Sequence, residues 1–168
     1  MRRCLPLSFE IMNTSSSLIQ KQILEEIKKC NDYTAQFGLT LSHSDALELI
    51  ETCNHSLKRT GRIEFGGSIV SKIIMEFCDS PYISMHSYAQ TIHELTEIFY
   101  LYKNETLDLI SDDALIKFMK KCFDGKCQGS LELLSERELY NMAHNLRYGL
   151  APDYSEDSNT DEEDEENE

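Results

Sequence analysis

The chain has 168 residues, 40% of them hydrophobic, and a formal net charge of −14. Such a length corresponds to one domain. No apolar run reaches the ~20 residues that cross a bilayer, so a membrane-spanning helix is not expected. Ten acidic residues and no Lys or Arg fall within residues 153–168, which leaves −4 of the net −14 to residues 1–152. The body is therefore mildly acidic, and nucleic acid is a disfavoured partner. So dense an acidic run lacks the apolar residues to collapse and repels itself. Residues 151–168 are predicted to form a disordered acidic tail.

The first residues, MRRCLPLSFEIM, imitate a signal peptide only briefly, because Pro6, Ser8 and Glu10 interrupt the apolar stretch. Residues 1–14 are read as a disordered extension, with Met12 a candidate alternative start. The helical domain is placed at 15–150. Cysteines stand at 4, 30, 53, 78, 122 and 127. With no secretion signal, and with Cys30, Cys53 and Cys78 on apolar helix faces, they read as buried reduced thiols of a cytoplasmic protein.

Helix signals recur along the chain. Ser15–Ser17 offer caps to a first helix whose stripe is Ile19, Ile23, Ile27, Cys30, Tyr33 and Phe37, with Gly38 as its stop and a break expected near Asn31-Asp32. Ser42 and Asp45 form a capping box for a second helix with Ala46, Ile50, Cys53 and Leu57 inward, ended by Gly61. Arg62 to Phe65 reads as an extended connector. A third helix begins near Ser68; Ile69, Val70, Ile73, Ile74 and Phe77 make it the most buried, and Ser80-Pro81 stops it. Ser84 is the expected cap of a fourth helix bearing Tyr88, Ile92, Leu95, Phe99 and Tyr102. Ser111 caps a fifth with Leu115, Ile116, Met119 and Phe123. A capping box at Ser135 and Glu138 opens the last, with Leu139, Met142, Ala143 and Leu146. The fold class is all-α, an irregular bundle of five or six helices.

Motifs for chemistry are weak. The loop from Asp124 through Gly129 imitates a calcium loop, but Lys126 and Ser135 stand where ligands are needed. Cys122 and Cys127 have no second pair to complete a zinc site. His93-Glu94 lacks the second histidine of a zinc-protease helix, and Glu48, Glu51 and His55 miss the di-iron spacing. No nucleophile elbow or phosphate loop occurs. The basic clusters, Lys58-Arg59 with Arg62 and Lys117 with Lys120-Lys121, read as solubilising surface. No catalytic residue, cofactor or metal ligand is assigned.

The strings QFGLTLS, GRIEFGG, FCDSPYI, IFYLYKNETLDLISDDALIKFM and FDGKCQGSLELL span most of the body. Over residues 25–148 the chain resembles a family of small uncharacterised proteins of unknown function from clostridia and related Gram-positive bacteria. That resemblance carries no activity; it implies a partner protein, encoded as a gene neighbour. Among the matching residues, Phe65, Phe77 and Phe99 suit a core and Gly61, Gly66, Pro81 and Gly129 suit turns. Arg62, Glu64, Asp79, Tyr82, Tyr100, Lys103, Asn104 and Glu105 have no evident core duty. These eight form the candidate functional surface. The leading expectation is a protein–protein interaction module. The alternative is a small enzyme or ligand-binding domain built on the charges of residues 61–105, and the third is a nucleic-acid-associated regulator. A structural ion-pair network would account for the same charges without any site. The sequence carries no signal for oligomeric state.

Overall fold

The computed structural model describes residues 8–64 and 68–150, with side chains from residue 18 onward. The acidic tail, residues 1–7, and Phe65, Gly66 and Gly67 lie outside the described residues. The architecture is all-α, with no strand among the described residues. Helix α1 is Ser8–Thr34, continued by a 3-10 turn, Ala35–Phe37. Then come α2 (His43–Thr60), α3 (Ile69–Phe77), α4 (Tyr88–Glu105) and α5 (Asp112–Asp124). The last helix, α6, is continuous but changes pitch: an α-helical Leu131–Leu133, a π-helical Leu134–Leu139 and an α-helical Tyr140–Arg147.

Helix α3 is the centre. It packs against α1, α2, α4 and α5, and all five of its aliphatic and aromatic stripe residues are buried. Full burial of a side chain of this size contributes about 1.5–3 kcal/mol, so this short helix is held by its surroundings rather than by its own propensity. Around it, α2 lies along α4. Phe77 of α3 meets Phe123 of α5 edge-on, ring centroids 5.6 Å apart.

Local signals explain the boundaries. Ser42 and Asp45 make the reciprocal capping box, and Gly61 ends α2 in the left-handed conformation. Ser111 accepts the Ala114 amide at the start of α5. Other boundaries differ from expectation. Helix α1 runs through Asn31-Asp32, because the Asn31 amide pairs with the backbone of Leu41 in both directions, at 2.8 and 2.9 Å, and secures the following loop. Tyr33 and Phe37 point outward instead of inward and meet each other edge-on. Ser84 does not cap α4; it sits in a turn ahead of Ser87 and meets that hydroxyl. The cap of α6 is Ser130, which accepts the Leu133 amide, so Ser135 falls inside the helix. There the wide π turn brings Leu134 and Leu139, five residues apart, both into the core, where an α-helix would splay them onto different faces.

Candidate functional site

The eight residues singled out from the sequence fall into four places. Arg62 and Glu64 lie on the connector between α2 and α3, but their side chains go to different partners. The Glu64 carboxylate accepts the Ile69 amide at 2.6 Å and the Tyr100 hydroxyl at 2.8 Å, and the Cys53 thiol stands 3.5 Å away. Glu26 of α1 accepts the neighbouring Ser68 amide at 3.1 Å. Two carboxylates therefore satisfy the first donors of α3, at the end where its dipole favours negative charge. Burial pushes the Cys53 thiol up to about 12 and raises the Tyr100 phenol further. Both remain protonated at neutral pH and serve as donors, not nucleophiles.

Arg62 pairs with Asp108 rather than with Glu64, Asp79 or Glu105. Asp108 also faces Lys103, a residue only 7% exposed, whose ammonium reaches the Ile110 carbonyl at 2.5 Å and Asp112 at 2.7 Å. Leu107 and Asp108 both have positive φ, 52° and 60°. Lys103 thus holds the tight turn between α4 and α5 from beneath, and Arg62 ties the connector to it from outside. The Arg62 guanidinium beside Asp108 holds its carboxyl below the usual range.

Asp79 meets Lys120 of α5 at 2.7 Å; the same ammonium contacts Asp124, which accepts the Ser80 hydroxyl at 2.5 Å. The first residue of the calcium-like loop is thereby engaged by a lysine. Tyr82 packs edge-on against Phe123 and covers Gly129. Glu105 pairs with Arg147 at 3.3 Å, and Asn104 is exposed with its carbonyl in the following turn. The structure brings Glu64 together with Tyr100, and Arg62 with Lys103 through Asp108. It does not bring the eight into one cluster. Among the described residues, no group of three or more His, Cys, Asp or Glu side chains could hold a metal ion.

Arg62, Glu64, Tyr100 and Lys103 nevertheless line one cavity of about 300 Å³, and two larger spaces are open. A groove of about 540 Å³ runs between α1, α2 and the connector, with Ile19, Ile23, Leu57 and Ile63 as its apolar walls and Glu26, Glu64 and Ser68 at one end. Ile19 is 58% and Ile63 76% exposed. The α1 stripe explains this: Ile27 and Cys30 are buried in the core, while its earlier part runs past the body. A second cavity, about 560 Å³, lies between α5 and α6 around Lys121, Glu138, Asn141 and Asn145. Sequence reasoning missed it because its residues come from two segments that no motif links. It also missed Asp108 and Glu26, whose partners lie 46 and 42 residues away.

The fold and these pairings define a small all-α domain in which α3 is capped and clamped by charged side chains from its neighbours. Residues 26–152 match the Family of unknown function (DUF6323), and the chain belongs to that family. No curated protein and no solved structure matches it. Among the described residues, no helix is long and apolar enough to cross a membrane.

Proposed function

We propose that this chain is a protein-docking module of the cytoplasm, and that the groove between α1, α2 and the connector receives an amphipathic segment of a partner protein. The observation that carries this reading is the uncovered apolar wall at Ile19 and Ile63, continuous with the core stripe of α1. Exposed apolar surface of this kind, rimmed by polar groups, marks contact sites. Charge selects the occupant. Glu26 and Glu64 line the polar side of the groove together with Arg62, whose charge is met by Asp108, and the body outside the tail carries a net −4. An apolar helix face followed by a Lys or Arg fits both features. The five buried thiols among the described residues, none in a disulfide, support a reducing compartment. The charges on which the enzyme alternative is built, Arg62, Glu64, Asp79, Lys103 and Glu105, each hold an internal partner, as a structural ion-pair network would have them.

The test compares capture of partners from host extract by the full chain, by Ile63→Asp and by Leu133→Asp, an exposed position outside the groove. A photo-crosslinker placed at Ile19 then maps the captured segment. A docking groove predicts one stoichiometric partner, crosslinked through an amphipathic basic segment, lost with Ile63→Asp and kept with Leu133→Asp. Equal capture by all three would overturn the reading.

A further inference from the structure

The cavity between α5 and α6 lies apart from the docking groove and differs from it in chemistry. Its back wall is apolar, formed by Phe118, Cys122 and Met142. Its rim is polar. Glu138, Asn141 and Asn145 recur at three- and four-residue steps and so project from one face of α6. Lys121 closes α5 on the opposite side, joined by Lys126. The volume, about 560 Å³, falls within the roughly 300–1,000 Å³ of small-molecule sites.

Two backbone irregularities border this space. The π-helical stretch of α6 contains Glu138, and such wide turns recur at functional sites. Gly125, on the rim, has φ −91° and ψ −100°, and a Cβ there would come within 2.8 Å of the Lys121 carbonyl. Glycine is therefore required for the backbone to turn so close to the last carbonyls of α5 at the cavity rim.

The charge balance points to an anion. Glu138 is neutralised within the protein, with Arg137 at 2.8 Å and Lys126 at 3.7 Å. Lys121 makes no ion pair among the described residues. The Asn141 and Asn145 amides, one turn apart, add neutral donors beside it. Burial keeps the Cys122 thiol protonated, with its pKa pushed up to about 11, so the wall behind them is uncharged.

We propose that this cavity binds a small organic acid, its carboxylate held by Lys121 and the amides of Asn141 and Asn145 and its apolar body set against Phe118 and Met142. The proposal is independent of the docking groove, which shares none of these residues.

Calorimetric titration of the full chain tests it, with benzoate, phenylacetate and 3-phenylpropionate as probes and their amides as uncharged controls. At least one acid is expected to bind saturably at one site, with its amide bound much more weakly. Lys121→Met, and separately Asn141→Ala with Asn145→Ala, should each weaken that acid by about tenfold or more, the scale of one lost charge-assisted contact. Circular dichroism should show the variants folded. Absence of binding by all three acids, equal binding of the amides, or affinity unchanged in folded Lys121→Met would each overturn the proposal. The acidic tail offers carboxylates too. Carbodiimide coupling of the full chain distinguishes that source: a Lys121 crosslink to residues 153–168 that no acid displaces would assign the cavity to the tail and overturn the small-acid reading.

Discussion

Glu64 and Tyr100 are joined by a hydrogen bond of 2.8 Å across 36 residues of sequence. Through it the connector after α2 is fastened to the middle of α4, and the same carboxylate caps α3. Glu64→Ala should cost about 2–3 kcal/mol, because it leaves a part-buried hydroxyl and a helix-end amide without their acceptor. Tyr100→Phe should cost about 1 kcal/mol. Since the two share one bond, the double variant should fall short of the sum by about 0.5 kcal/mol or more. Urea unfolding of the four proteins checks this; additive losses would show that the pair is not coupled.

Lys103 is the second fastening. Lys103→Met keeps the aliphatic stem but orphans the Ile110 carbonyl and the Asp112 carboxylate and leaves Asp108 to Arg62 alone. Both carboxylates retain substantial exposure, which tempers the loss to about 1–3 kcal/mol. The expected result is a lower urea midpoint with an unchanged slope. A midpoint equal to the parent's would remove Lys103 from the account of the turn.

Acid response follows from Asp108. Its folded pKa is depressed, by the Arg62 hydrogen bond first. Its contribution is therefore complete above the unfolded value of about 3.9 and is lost as pH falls through the lower folded value. Asp108→Asn should reduce stability at pH 7 and flatten the decline below about pH 4. Thermal unfolding across that range gives the readout, and parallel curves would contradict the assignment.

Alkaline response has the opposite origin. Cys53 and Cys122 are raised by burial to about 12 and about 11. Above the unfolded thiol value of about 8.5 the unfolded chain releases these protons and the folded chain keeps them, so stability falls as pH rises. Cys53→Ala should lessen that alkaline slope. Alkylation of both thiols in the native protein should be slow at pH 8 and rapid in denaturant; fast native labelling would sink the claim.

Gly129 and Gly61 both have positive φ, 83° and 66°, but differ in space. A Cβ at Gly61 meets nothing within 4 Å, whereas one at Gly129 would lie 2.5 Å from the Cβ of Tyr82. Gly61→Ala should cost about 1 kcal/mol from backbone conformation alone, and Gly129→Ala distinctly more, since Tyr82 must leave Phe123. Equal melting temperatures for the two variants would show that Tyr82 yields freely.

The sequence by itself determined the helical class, the central burial of α3, and the starts of α2 and α5. Those features are local: a stripe at three- and four-residue steps selects a helix, and a cap hydroxyl finds an amide two or three positions along. The interior placement of Phe77, Phe99, Cys30, Cys53 and Cys78 follows from the same periodicity. Tertiary structure alone decided which charge meets which. Arg62 could not be matched to Asp108, nor Lys103 to Ile110 and Asp112, because long side chains choose partners by where helices end in space. It also decided that the α1 stripe outruns its neighbours and leaves Ile19 uncovered. Burial depends on what packs opposite a residue, and periodicity describes only the residue's own face.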